Sequence, residues 1–565
     1  MRTQRTKGIV LFLIIFSLLF SACAAPVAEA PTIEAPAETA PPEPTAEPVQ
    51  EIVAEYLEAD LESYEVQAKA SENPYQLNYQ QQVRRELYHQ TNYGTYDLAS
   101  PFACIDPFRT SQLAMLLAFD DVEGYASYKI LSPYGNEEYS KSFKDGGVNT
   151  SYELEIFGLF PNVQNEIVVS IHDEQDNLLK EAYYTIDVPA ITLGAEKDAL
   201  LADLNNPVDL SIVRKVGEAS DGLFAMIGCI NKVIANQGVF FYDNNGYLRG
   251  AIYTDYRANN LTMVEDGFVY ANNGKEVVHT SMIGETRAIY GTANHTIHHD
   301  VILDNNGDII MLTTNDDDEP NKEDWVIKID KETGEIVYEI DFKEFFGDMG
   351  EYYLRNNGDW MHLNSIDYID RKGGNIIVSS REMAGIFSFT GFDAQALELE
   401  FVINEGQNAQ TFGIEDVNLA PVGDVTYNLG QHSVRFIAGE DDDHFQIVYY
   451  NNFSADNNWR TSDDFPDKDI IDYYTEIPEA GTFSYATLLN INTADMTFEL
   501  EDKIELLHAR RRSSAQKYLD NFVVASTDVG QVFELDGDFN IILQFKLSGE
   551  KNGVYRCYKF DIYGE

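Results

Sequence analysis

Three short segments carry imidazoles at matching places: His298-His299-Asp300-Val301-Ile302, His362-Leu363-Asn364-Ser365-Ile366 and Gln431-His432-Ser433-Val434-Arg435. Each leads into an apolar, strand-forming run. Aligning Val301, Ile366 and Val434 puts His299, Asn364 and His432 at one position, with His362 two residues earlier on the same face of a strand. The second strand of the middle unit ends in Ser379-Ser380-Arg381. Several His and one Arg, with few Lys nearby, suit a tetrahedral oxyanion. Guanidinium supplies a fixed fork of donors, and imidazole can donate, accept or attack. A single buried histidine is usually a core residue; a shared position in successive units is what points to chemistry. His279, His295, His444 and His508 lack that placement and read as structural.

The elements that must carry these residues repeat. An apolar strand, a Gly-centred turn and a second apolar strand run from Val239 through Asp243-Asn-Asn-Gly246 to Tyr253, and again from Val301 through Asp304-Asn-Asn-Gly307 to Leu312. A third copy runs from Ile366 through Gly374-Asn375 to Ser379, and the hairpin Val326–Ile340 has its echo in Val532–Phe545. Turns of this chemistry between β-branched runs are the strongest local hairpin signal. Units of roughly 60 residues over 191–565 predict a six-bladed β-propeller of four-stranded blades, whose axis collects residues from every blade. A plain stack of sheets is the alternative.

Ahead of it, 57–88 is rich in Glu, Gln, Ala and Leu and predicts a helix. Alternating runs at 112–119, 126–131, 152–157, 166–171 and 180–186 predict short antiparallel strands. Residues 57–190 thus read as a helix plus a small β-sandwich-like domain, and the fold class as all-β.

Composition bounds the partners. The chain has 565 residues with 39 Lys+Arg against 94 Asp+Glu, a formal charge of −55. Such a surface repels phosphate backbones, which excludes nucleic-acid binding by counterion release. At 44 % hydrophobic and 12 % aromatic the body is too apolar for general disorder. The first 22 residues have a basic n-region (Arg2, Arg5, Lys7), an apolar stretch too short for a comfortable membrane span, and small residues before Cys23. Leu19-Phe20-Ser21-Ala22-Cys23 resembles a bacterial lipobox, so Cys23 is expected to be lipidated, which takes the mature charge to −58. The Pro/Ala/Glu/Thr-rich stretch 24–55 reads as a solvated tether. The protein is therefore expected in the cell envelope outside the cytoplasm, on a periplasmic or extracellular face, touching membrane through the lipid alone. Cys104, Cys229 and Cys557 remain, an odd count that allows at most one disulfide.

Asp359-Trp360-Met361-His362-Leu363-Asn364-Ser365-Ile366 followed by Gly374-Asn375-Ile376-Ile377-Val378-Ser379-Ser380-Arg381 resembles the signature of bacterial aryl-sulfate sulfotransferases. The His298-His299-Asp300 and Gly430-Gln431-His432-Ser433 segments are similar to that family's other two histidine motifs, in the same order. Asn73-Pro74-Tyr75-Gln76-Leu77-Asn78 resembles its strand-rich leading domain. The resemblance implies a six-bladed propeller that moves a sulfuryl group from an aryl sulfate to a phenol, without a nucleotide donor, cofactor or metal. It implies His432 as the nucleophile that carries the sulfuryl group, His362 and Arg381 with Asn364 as holders of the sulfate oxygens, and His299, or its neighbour His298, as proton donor to the leaving phenolate. Its partners would be a small aryl sulfate donor and a phenolic acceptor; a homodimer is left open.

Two departures stand out. Tyr449-Tyr450-Asn451-Asn452 replaces an acidic-Asn pair after the third motif, and Arg510-Arg511-Arg512-Ser513-Ser514 replaces a Gly-Asn type segment in the last blade. No Cys-x-Pro-x-Arg or Ser-x-Pro-x-Arg of a formylglycine sulfatase is present, and no Gly-rich phosphate loop. A three-histidine zinc site is disfavoured because the residues lie on separate units. The acidic runs Asp316–Glu319 and Glu440–Asp443 read as solvated loop tips rather than calcium loops. The remaining alternative is a non-catalytic, surface-tethered propeller that binds a partner.

Overall fold

The computed structural model describes residues 54–69, 73–135, 137–191, 210–230, 235–254, 258–318, 323–347, 359–405, 409, 413–437, 439–454, 481–547 and 553–564. The signal segment, Cys23 and nearly all of the expected tether lie outside these, and nothing is described of the Cys229 side chain. Cys104 and Cys557 are buried free thiols.

Six antiparallel sheets form a six-bladed propeller. The inner-edge strands, in ring order, are Arg556–Phe560, Thr262–Val264, His295–Leu303, Leu363–Ile369, His432–Ile437 and Ser514–Tyr518. The ring is closed twice. The C-terminal strand Arg556–Phe560 adds to the inner edge of the first blade beside Leu223–Ile230, while Leu210–Lys215 adds to the outer edge of the last blade beside Ile541–Leu547.

The hairpin turns share one device. Asp243 Oδ1 accepts from the backbone N–H groups of Asn245 and Tyr247 at 2.9 and 3.0 Å, and Asp304 Oδ1 from Asn306 and Asp308 at 2.8 and 2.9 Å. Gly246 and Gly307 then take φ of +80° and +83°, where a Cβ would be strained. Asp536 repeats the pattern with Asp538 and Asn540.

In front of the propeller, the long strand Ala114–Leu131 runs through two sheet halves: its start pairs with Phe102–Ile105 and Asn149–Phe157, its end with Glu138–Ser142 and Val163–His172. The register shifts between Asp120 and Gly124, where the partner strands change, and the whole forms one seven-stranded, half-barrel sheet in place of the expected sandwich. The helix is displaced from the expected 57–88. It spans Leu77–Tyr93, while Glu55–Leu61 is a strand parallel to Leu178–Val188. Leu57-Glu-Ala-Asp-Leu61 alternates apolar and acidic residues, and that period of two outweighs helix propensity once a strand edge is available. Helix residues Tyr75's neighbours Tyr79, Val83 and Leu87 pack in one core with Val239, Phe241 and Phe268 of the first two blades. Tyr75 itself reaches Tyr253 O and Tyr270 Oη at 2.9 and 2.7 Å, fixing the leading domain to the propeller.

Candidate active site

Contacts between inner strands set the register. Asp300 Oδ2 accepts from Ile366 N at 3.1 Å, and Ser365 Oγ from Val434 N at 2.9 Å. These equivalent contacts make Asp300 and Ser365 equivalent, and hence align Val301, Ile366 and Val434. His299, Asn364 and His432 occupy one position in three consecutive blades. Each inner strand also breaks its ladder there, between Ile297 and Val301, Leu363 and Ser365, and His432 and Arg435. His299, His362 and Ser433 have φ of +53°, +49° and +56°. Such bulges re-aim side chains that a regular strand would send to alternate faces.

The re-aimed rings converge. His298 and His299 lie 5.0 Å apart between centroids, and His299 and His362 another 5.0 Å. His432 lies close enough to feel the charges of Arg381 and His362, and His299 feels that of His432. Arg381 donates its backbone N–H to His362 O at 3.2 Å, and its guanidinium forks onto Glu382 Oε1. Neighbouring motif residues hold the frame. Gln431 Nε2 donates to Ser379 Oγ, Ser380 O and Gly385 O, and Ser380 Oγ to Met361 O at 2.6 Å. Asn364 belongs to this frame: its Nδ2 donates to Gln431 O at 2.7 Å, and its Oδ1 has no hydrogen-bond partner.

His432 has a defined tautomer. Asn452 Nδ2 donates to Ala509 O and Arg512 O, which turns its Oδ1 toward His432 Nδ1 at 2.8 Å; Gly430 O lies 2.9 Å from the same nitrogen. With two acceptors around it Nδ1 must carry the proton, and Nε2 presents a lone pair, accepting from Arg512 N–H at 3.3 Å. Burial, with the positive charges of Arg381, His362 and Arg556, lowers the His432 pKa to about 3. The ring is neutral at any ordinary pH.

His362 is the opposite case. Burial disfavours its charge, but Glu323 and Asp359 outweigh that and push its pKa up to about 10. Asp359 Oδ2 lies 2.8 Å and Glu323 Oε2 2.7 Å from its Nδ1. Burial holds His298 and His299 below the usual histidine range. Glu323 is kept ionised against its own burial, chiefly by His362 and His299. The pocket therefore combines a neutral, oriented imidazole with two cations, Arg381 and His362, each backed by a carboxylate.

The sequence reading did not single out Glu323, Asp359, Asn452 or Arg556. Asp359 was inside a quoted motif, and Asn452 was noted only as a departure. Arg512, from the other departure, supplies a backbone N–H to His432 Nε2. Glu323 had no signal, since it stands outside every repeat. Trp360 Nε1 donates to Asp324 Oδ2 at 2.8 Å, tying the Glu323 segment to the Asp359–His362 segment. Beneath the pocket, Asp300 takes Arg556 Nη1 at 2.8 Å and Arg435 Nη2 at 3.0 Å, and Arg556 Nη2 donates to Asn364 O at 2.6 Å.

No curated protein matches the chain in sequence. Among solved structures, virginiamycin B lyase from Staphylococcus aureus is 11 % identical, over 59 % of this chain and 87 % of that one, with a TM-score of 0.30. The periplasmic gluconolactonase of Pseudomonas aeruginosa is 9 % identical, over 78 % and 99 %, with a TM-score of 0.31. Neither likeness bears on function. A sequence model of arylsulfotransferases (ASST) matches residues 209–530, more than half of the chain and all three histidine segments. A propeller with this match and with imidazoles and a guanidinium gathered at its axis belongs to the arylsulfotransferase family.

Proposed function

We propose that the protein transfers a sulfuryl group from an aryl sulfate ester to a phenol in two steps through a sulfohistidine at His432. The observation that carries this reading is the His432 ring, held neutral with Nδ1–H tied down and the Nε2 lone pair presented beside two cations. In the first step Nε2 gives up its long contact with the Arg512 N–H and attacks sulfur, the bond from sulfur to the aryl oxygen breaks, and the phenolate leaves. Arg381 and the His362 imidazolium stabilise charge on the sulfuryl oxygens as it spreads in the transition state. Asn364 steadies the strand that carries His432's neighbour rather than contacting substrate. His299 faces the leaving oxygen, and the proton comes from the His299–Glu323–His362 cluster. The second step is the reverse with a new phenol. Covalent relay replaces one difficult transfer by two easier ones, and no cofactor takes part.

The test is release of nitrophenol from 4-nitrophenyl sulfate with and without added phenol. We expect one equivalent released promptly, then turnover only when phenol is present. Equal sustained release in water alone would mean a hydrolase, and no release would favour the binding-module reading. His432→Ala should lose at least 10³-fold in rate while keeping its thermal melt; a variant with full activity would remove His432 from the reaction.

We also propose, from the sequence, that the chain is exported and anchored through lipidated Cys23 ahead of the Pro/Ala/Glu/Thr-rich stretch 24–55. Cys23→Ser should abolish incorporation of labelled palmitate and release the protein from membranes in a fractionation.

A further inference from the structure

His298 is a buried ring that the transfer chemistry leaves without a task. It is nine-tenths buried, and its Nε2 has no hydrogen-bond partner. Adjacent residues on a regular strand point to opposite faces. Here the left-handed turn of the backbone at His299 swings both imidazoles to the same side, with the two Nδ1 atoms 2.9 Å apart. At most one proton lies between the two nitrogens, so one ring donates and the other accepts. Glu323 closes the group from a different segment: its Oε1 lies 3.9 Å from His299 Nδ1. Its backbone is left-handed too, at φ +57°, and is pinned by Thr314 Oγ1 on the N–H and Leu363 N–H on the carbonyl. The three donor atoms fall within 4.8 Å of one another.

We propose that His298 Nδ1, His299 Nδ1 and Glu323 Oε1 form a site for one divalent transition-metal ion of the Zn²⁺ class, overlapping the pocket at the His299 end. Two imidazoles and a carboxylate with an open fourth position are a recurrent donor set for Zn²⁺. Ligands about 2.0–2.1 Å from an ion stand about 3.3 Å from one another in a tetrahedron. The observed 2.9 and 3.9 Å bracket that value, so small ring and carboxylate movements suffice. A second layer is in place on the Glu323 side. Glu323 Oε2 sits 2.7 Å from His362 Nδ1, outside hydrogen-bonding alignment, and has no hydrogen-bond partner of its own. That contact orients the carboxylate, the part outer-shell groups play in metal sites. A neighbouring set, Glu323 with Asp359 and His362, is equally compact. There, however, Asp359 and Glu323 both crowd the His362 Nδ1–H and hold that ring as an imidazolium, which has no lone pair to offer an ion. Since the ion would occupy the His299 nitrogen nearest Glu323, it would compete with the proton cluster and restrain transfer.

The experiment is a titration of the chelator-stripped full chain with Zn²⁺ against a chromophoric chelator, repeated with Co²⁺ read by its visible absorption. We expect one ion per chain, bound at least tenfold more weakly by Glu323→Gln and His298→Ala, and unaffected by Asp317→Asn in the acidic loop. Glu323→Gln preserves shape and keeps the test open should His298→Ala fail to fold. No ion retained against the chelator, an ion that Glu323→Gln binds as the wild type does, or one lost in Asp317→Asn would each overturn the proposal. Because the readout is binding, failure here leaves the sulfuryl-transfer reading standing, and failure of that reading leaves this one.

Discussion

At the residue scale, the behaviour of His432 is set by a neutral partner. An Asn on Nδ1 fixes the tautomer without supplying a negative charge, and its hydrogen bond raises the pKa less than burial and the nearby cations lower it, to about 3. The acid limb of the donor kcat/KM profile should accordingly show no protonation of the nucleophile between pH 8 and 5. Asn452→Asp places a carboxylate on Nδ1 and favours imidazolium, raising the pKa. The rate of that variant should fall as pH drops through the new value, which a pH–rate profile of wild type and variant will read directly. Asn452→Ala frees the ring and should lower kcat on the order of 10²-fold with the donor KM little changed, the cost of a misplaced reacting atom. The same shift has a stability sign. The unfolded chain protonates His432 near 6.5 and the folded one only near 3, so its effect is nil above pH 6.5 and destabilising as pH falls from there toward 3.

At the element scale, the inner strands depend on ion pairs largely withdrawn from water. Asp300 is fully buried between Arg435 and Arg556, from three different blades. Removing one arginine leaves buried charge and unfilled donors, so Arg556→Ala should cost about 3–5 kcal/mol in urea unfolding. Arg287→Ala, which breaks partly exposed pairs with Asp266 and Glu155, should cost about 0–1 kcal/mol. This distinction marks what could be read from the sequence. Alternating strands and Asp-x-x-Gly turns are local and were legible, and so was the shared position of His299, Asn364 and His432, because repetition displays it. The helix at Leu77–Tyr93 was misplaced because the Glu/Ala/Leu composition of 57–61 masked its period of two. Glu323, Asn452 and Arg556 were not legible as site residues. Their partners lie 20 to 256 residues away (Asn452 to His432, Arg556 to Asp300), and in a chain with 94 acidic residues nothing separates a buried Glu from a solvated one.

At the scale of the whole molecule, the charge of −55 surrounds a pocket meant for an anion. Arg381 and His362 provide attraction at contact range, while the surface repels at long range. The Debye length is about 30 Å at 0.01 M salt and about 8 Å at 0.15 M. Raising salt across that interval should increase kcat/KM for an anionic aryl sulfate and leave that for a neutral phenol acceptor nearly unchanged. Stopped-flow rates for the two half-reactions would separate these, and a donor rate that falls with salt would mean that the local cations dominate at a distance as well.

The two-fold closure of the ring has a mechanical result. A strand from one side of the chain is stitched into the first blade and another from the opposite side into the last, so no blade depends on a single covalent connection for its place. A protease that severs one surface loop between blades would leave two fragments still laced together through their sheets, migrating as one particle until a denaturant parts them. A broken chain need not mean a broken pocket.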